Sequence, residues 1–222
     1  MVCAQGFGTD FLRGVHATAV DDQRSTVRAG YDGMAATYDD RRTSDPEENE
    51  GLVALAESLP ERPRLLDLGC GGAGGALQYL PDERAVGLDF STEQLRLARQ
   101  RTGAALVTGE MTSLPFAADS FDAVTAFYSV IHLPIAEHGD CYEEVARVLQ
   151  PGGEFLFSMA DDWAGEDDDW LDSGERMAWS FPPMAETERL LAAADLELVA
   201  RYSFTSEVDD DEWPFLRCRL PE

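Results

Sequence analysis

The sequence predicts an α/β sandwich built on parallel strands, and three observations carry the prediction. Short apolar runs alternate with amphipathic helical stretches through most of the chain, the first run opens into a glycine-rich loop, and two β-rich runs close the chain. Strands separated by helical patterns imply parallel βαβ units. At 222 residues the chain holds one well-buried core, so it reads as a single domain over 26–222 behind an N-terminal arm, 1–25.

The arm is sprinkled with Gly and Thr and has weak periodicity, which suits a poorly ordered segment or a capping helix. After PEENE, the stretch GLVALAESL sets Leu52, Leu55, Ala56 and Leu59 at helical spacing and is closed by Pro60. RLLDL is the first strand, followed by the glycine loop and a helix to Leu80. AVGLD is the second, followed by the helix STEQLRLARQR. Ser91 and Gln94 form a capping-box signature that starts this helix just behind Asp89 and Phe90. ALVTG is the third strand, FDAVTAFYSV the fourth, DCYEEVARVL a helix, and GEFLFSM the fifth strand after the turn Pro151-Gly152-Gly153. Beyond the helix AETERLLAAADL, the runs LELVARYSFTSEV and WPFLRCRL are joined by Asp209, Asp210, Asp211 and Glu212 and read as an antiparallel hairpin.

The charge is one-sided: 43 acidic residues stand against 17 basic ones, all arginine, for a net −26. Such a charge favours solubility and costs self-repulsion, which concentrated salt screens; the composition resembles proteins from organisms with molar salt in the cytoplasm. In dilute buffer the surface repels phosphates, which disfavours nucleic acid as a partner, whereas molar salt largely removes that repulsion. The absence of lysine excludes Schiff-base enzymes and Tyr-x-x-x-Lys reductases. Cys3, Cys70, Cys141 and Cys218 are widely spaced, which suggests neither a metal clip nor a disulfide framework and fits a reducing cytosol. The N-terminus lacks the basic opening and apolar stretch of a signal peptide, and no run approaches the roughly 20 apolar residues that cross a bilayer. A cytoplasmic chain away from membranes is therefore expected.

RLLDLGCGGAGG, residues 64–75, carries the chemistry. Strand, glycine loop and helix together point backbone N–H groups and the positive end of a helix at a ligand on the carboxyl edge of the sheet. Two chemistries use such a loop: the pyrophosphate of a dinucleotide and the amino-acid end of S-adenosylmethionine. Gly69-x-Gly71-x-x-Gly74 satisfies the dinucleotide pattern, with Asp89 placed for ribose hydroxyls, so the loop by itself leaves an NAD(P)-dependent oxidoreductase open.

The rest of the chain separates the two. LLDLGCG, VGLDFS, GEMTSLPFAADSFDAVTAFYSVIHLP and EEVARVLQPGGEFLF follow one another at the expected intervals, with VRAGYDGMAATYD ahead of them. Over about residues 27–160 the series resembles the class I S-adenosylmethionine-dependent methyltransferases. The resemblance implies a Rossmann-like sandwich whose mostly parallel seven-stranded sheet has an antiparallel strand in its C-terminal hairpin, with S-adenosyl-L-methionine at the carboxyl edge. It implies that Asp67, Gly69, Cys70 and Gly71 lie along the methionine part of the cofactor. Asp89 accepts from the ribose hydroxyls, Phe90 packs on the adenine, Glu110 and Met111 flank it, Tyr31 reaches or closes over the cofactor, and Phe127 sits near the sulfonium. Ala73 stands where the family usually has a third alternating glycine, and Glu110 where it usually has Asp. Each assignment has a plainer counterpart: a tight turn at Gly69 and Gly71, a helix cap at Asp89, ordinary core at Phe90.

Methyl transfer from a sulfonium is a direct displacement, so the protein mainly aligns the reactants and excludes water. An acceptor that loses a proton benefits from a base, and His132 in SVIHLP is the best-placed one, with a packing role as its alternative. Tyr128 either orients the acceptor or fills space. His16 and His138 read as exposed polar residues. The segment 161–185 interleaves Trp163, Trp170, Met177 and Trp179 with six acids between 161 and 169. It reads as a solvated loop anchored by its tryptophans, as a cover for the acceptor, or as a metal site, though its spacing fits no calcium loop and no metal is expected. The expected function is methyl transfer to a small-molecule acceptor. The alternatives are the oxidoreductase and a non-catalytic cofactor-binding protein of the same fold.

Overall fold

A computed structural model describes residues 20–41, 49–79, 84–205 and 212–222. Three helices precede the sheet: α1 (Val20–Gly33), α2 (Ala35–Arg41) and α3 (Glu50–Ser58). α3 starts where the Asn49 side chain accepts from the Leu52 N–H at 3.0 Å, and it buries Leu52 and Leu55 as its spacing predicts. α1 runs through the expected 25/26 boundary, so only residues 1–19 of the arm lie outside the described residues.

The alternation follows as predicted: β1 (Leu65–Leu68), α4 (Ala76–Tyr79), β2 (Ala85–Asp89), α5 (Thr92–Ala98), β3 (Ala105–Thr108), β4 (Phe121–Ala126), α6 (His138–Val148) and β5 (Leu149–Ser158). All four residues of β1 are buried, as a central parallel strand covered on both faces requires. The chain continues through β6 (Trp163–Asp167), β7 (Met177–Phe181), α7 (Met184–Ala193), β8 (Glu197–Thr205) and β9 (Glu212–Arg219). Leu80 and Asp209 to Asp211 lie outside the described residues.

The main sheet has the order β3-β2-β1-β4-β5-β9-β8, and β9 is the antiparallel strand, slotted between β5 and β8. Glu154 on β5 fixes that slot: its carboxylate, 4% exposed, accepts from Arg217 Nε at 2.5 Å and Arg219 Nη2 at 2.6 Å. The winding runs outward from β1 to β3 and then returns to β4 on the other side of β1. The loops after β1 and β4 therefore diverge and leave a crevice at the carboxyl edge.

Three details depart from expectation. β4 stops at Ala126 rather than running to Val130, because Tyr128 takes a left-handed φ of 53° and Val130–His132 turn as a 3-10 helix. β5 begins before Pro151-Gly152-Gly153 and carries the turn as a register irregularity against β4. The acidic segment is not a loop: β6 and β7 form an antiparallel hairpin, Trp163 opposite Phe181 through Asp167 opposite Met177. Its acids mask the strand signal, whereas Met177, Ala178 and Phe181 are buried against the rest of the fold.

Candidate cofactor and acceptor site

One cleft opens at the crevice, and its floor is made by the glycine loop. Gly69 and Gly71 adopt φ of 68° and 53°, and the N–H groups of Gly69 and Cys70 donate to the Leu88 carbonyl at 2.7 and 3.1 Å. The loop thus hangs from the end of β2. Ala73 also takes a positive φ, 62°, a conformation that costs a non-glycine residue about 1 kcal/mol. Asp89 locks the loop further: Oδ2 accepts from Gly71 N–H and Oδ1 from Ser91 N–H, both at 2.8 Å. Burial outweighs these bonds and pushes its pKa up to about 6.

At the other end, Tyr31 from α1 meets His132 after β4. Tyr31 Oη lies 2.8 Å from His132 Nε2, and His132 Nδ1 lies 2.8 Å from the Ala178 carbonyl of β7. A carbonyl only accepts, so Nδ1 carries the proton and Nε2 accepts from the Tyr31 hydroxyl. Trp179 packs tilted on the imidazole at 5.8 Å between centroids. Tyr128 donates its N–H to Ser158 Oγ at 2.6 Å and sets its ring edge-on to Trp213 and Phe215.

α1 and the hairpin roof this end. Gly30 and Gly33 of α1 face Arg176 and Glu175 so closely that a Cβ would lie 2.6 Å from the Arg176 carbonyl oxygen and 2.3 Å from the Glu175 carboxylate. Gln23 Nε2 donates to the His132 carbonyl and to Ser180 Oγ, both at 3.0 Å, and Ser180 Oγ donates to the Leu133 carbonyl at 2.7 Å. His138 is fully buried, contrary to expectation. Its Nε2–H sits 3.2 Å from the Leu133 carbonyl and 3.1 Å from that of Ser180, tying β7 to the His132 turn.

These buried imidazoles make stability pH-dependent. Burial holds His132 and His138 down at about 4, from 6.5, so between those values the unfolded chain binds protons that the native state refuses. Stability therefore falls as pH drops from 6.5 through 4. Asp89, raised from 3.8 to about 6, binds a proton in the native state across that window and offsets one of the two histidines. A net loss on the order of 3 kcal/mol between pH 7 and 4 is expected in denaturation at fixed salt, and His138→Gln should flatten most of it. A flat wild-type profile would contradict the burial.

Tyr31, Gly69, Gly71, Asp89, Phe90, Glu110, Met111, Phe127, Tyr128 and His132 all line this one cleft. Asp67 and Cys70 are not among the lining residues. Asp67 Oδ1 accepts from the Thr125 hydroxyl at 2.7 Å between β1 and β4, and Cys70 is buried in the core with its sulfur toward Gly87. The sequence reading missed Arg24, Val27, Tyr38, Gln94 and Ser129, which also line the cleft. Arg24, Val27 and Tyr31 fall on one helical face, a spacing that was available as a signal. Gln94 and Ser129 left none.

Residues 66–157 match a family model described as Methyltransferase domain. The chain is 32% identical over 160 residues to a fatty-acid O-methyltransferase of Mycolicibacterium smegmatis, covering 69% of this chain and 51% of that one. It is 27% identical over 182 residues to a sterol 24-C-methyltransferase of Debaryomyces hansenii, covering 74% and 48%. The chain thus spans about half the length of these relatives. The same fold occurs in the Burkholderia thailandensis 1,6-didemethyltoxoflavin-N1-methyltransferase, solved with 1,6-didemethyltoxoflavin and S-adenosylhomocysteine. That structure gives a TM-score of 0.72 at 18% identity over 94% of this chain and 93% of that one. No helix among the described residues is long and apolar enough to cross a membrane. The matched segment contains the glycine loop, Asp89 and the His132 turn, and on that match and this sheet order the chain carries a methyltransferase domain and has the fold of the class I S-adenosylmethionine-dependent methyltransferases.

Proposed function

We propose that this protein transfers the methyl group of S-adenosylmethionine to a small, largely apolar acceptor that bears a protic hydroxyl, carboxyl or amino group. The observation that carries the reading is the single cleft that runs from the glycine loop and Asp89 to the Tyr31–His132 pair. The residues present fit the cofactor: two left-handed glycines leave the loop backbone bare, and the Asp89 carboxylate keeps acceptor capacity for ribose hydroxyls beyond its two backbone bonds. Gly69 and Gly71 would hold the amino-acid end, with Asp67 stiffening the strand behind them. Phe90, Glu110 and Met111 would hold the base, and Phe127 would border the sulfonium. Bound S-adenosylmethionine supplies an already activated methyl group.

The chain's own task is to position the acceptor and take its proton. The polarity set by the Ala178 carbonyl leaves Tyr31 donating to His132, so the Tyr31 oxygen is oriented to accept from the acceptor. As that proton moves to Tyr31 Oη, the tyrosine proton moves to His132 Nε2. Burial makes His132 a weak base, and the acceptor's proton becomes easier to remove as its oxygen or nitrogen gains the methyl group. Trp170 and Trp179, with Tyr31 and Tyr38, form an aromatic cluster at this end that suits an apolar acceptor body, and the hairpin within 161–185 acts as its cover. The relatives named for fatty-acid and sterol substrates point the same way.

Transfer of tritium from S-[methyl-³H]adenosylmethionine to a panel of phenols, carboxylic acids and amines tests this. With a methylated acceptor, His132→Ala should lower turnover ~100-fold and leave S-adenosylhomocysteine affinity within about threefold. Tight S-adenosylhomocysteine binding with no acceptor methylated would favour the non-catalytic reading.

A further inference from the structure

Gln94 lines the cleft and has side-chain chemistry that the site described above does not use. It lies in the first turn of α5, is 1% exposed, and neither its Oε1 nor its Nε2 has a hydrogen-bond partner. Its expected bond is lost for a visible reason. The Ser91 hydroxyl accepts from the Gln94 N–H at 3.2 Å, which is half of the capping box, but the Ser91 N–H that the Gln94 side chain would cap is already taken by Asp89 Oδ1. A buried amide without partners is a cost that a Met or Leu of similar volume would avoid.

The position says what the amide faces. α5 packs on β2 and β3, and Gln94 lines the cleft together with Phe90 after β2 and Gly109 and Glu110 after β3. Phe90 and Glu110 are among the residues proposed above to hold the base. Phe90 and Met111 offer only apolar contact there, and the Glu110 carboxylate only accepts. A carboxamide presents a donor and an acceptor side by side, the complement of the adjoining amino donor and ring-nitrogen acceptor on an adenine edge.

Resting on the cofactor site proposed above, we infer that Gln94 reads the adenine of the cofactor, Oε1 accepting from the 6-amino group and Nε2 donating to the neighbouring ring nitrogen. It is a specificity-determining residue that becomes satisfied only when the cofactor binds.

The test is titration calorimetry of wild type, Gln94→Leu and Gln94→Met with S-adenosylhomocysteine and with its 6-deamino purine analogue, alongside thermal midpoints without ligand. Wild type should prefer S-adenosylhomocysteine by about tenfold or more. Both variants should lose about tenfold in affinity for it, and most of the preference, while their ligand-free midpoints equal or exceed that of wild type. Wild type binding both ligands equally, or variants that keep affinity and preference, would overturn the assignment. Wild type binding neither ligand would overturn the cofactor site itself, and the role of Gln94 with it.

Discussion

Asp89→Ala is expected to weaken S-adenosylhomocysteine binding by ~100-fold or more, the largest loss of affinity from any single residue of the cleft. The carboxylate works on two sides. It clamps the loop by accepting from Gly71 N–H and the helix start by accepting from Ser91 N–H, and its remaining lone pairs are the natural acceptors for vicinal ribose hydroxyls. Alanine removes both. Asp89→Asn separates charge from shape, because its amide turns an NH₂ toward one of the two backbone donors and should lose nearly as much.

The same residue sets a pH dependence for binding. Burial lifts the Asp89 carboxyl to about 6 in the ligand-free protein. Hydroxyl donors favour the charged form, so the ligand binds the deprotonated protein, and affinity should be flat above that pH and fall up to about tenfold per unit below it. Calorimetry between pH 8 and 5 at fixed salt reads this directly. A pH-independent affinity in wild type would mean that Asp89 does not receive the ribose.

Gly69→Ala should cost about 3 kcal/mol or more of stability, which lowers the thermal midpoint by roughly 10 °C in a chain of this size. Two penalties add: φ is 68°, and a Cβ would stand 2.3 Å from the Ser129 Cβ. Ser129 cannot step aside easily, since its hydroxyl donates to the Leu68 carbonyl at 2.8 Å and so fastens the turn after β4 to the end of β1. Gly174→Ala isolates the backbone penalty, because its φ is 76° with nothing within 4 Å of the added carbon. It should cost only about 1 kcal/mol. Ser129→Gly in the Gly69→Ala background should recover the steric part, and equal costs for Gly69→Ala and Gly174→Ala would refute the clash.

Sequence alone determined the features whose causes are local. The switch between twofold and 3.6-fold periodicity, Ser91 as a cap, and glycines directly behind an apolar run set most of the helices and strands and the loop. They also drew Asp89, Phe90, Glu110 and Met111 toward one edge. The tertiary structure decided whatever depends on residues far apart in the chain. Tyr31 meets His132 across 101 positions, and the proton on that imidazole is fixed by a carbonyl 46 residues further on. β6 and β7 became strands because α1 gave Met177 and Ala178 a surface to bury against, which the surrounding acids concealed. His138 passed for a surface residue until the two carbonyls that enclose it were brought together. Gln94 carried the signature of a helix cap, and its freedom to serve the cleft arose only when Asp89, three-dimensionally adjacent to both the loop and the helix start, took the Ser91 N–H first. Periodicity and turn chemistry act over a few residues and can be read along the chain. Competition for a donor and burial against a distant face exist only once the chain has folded.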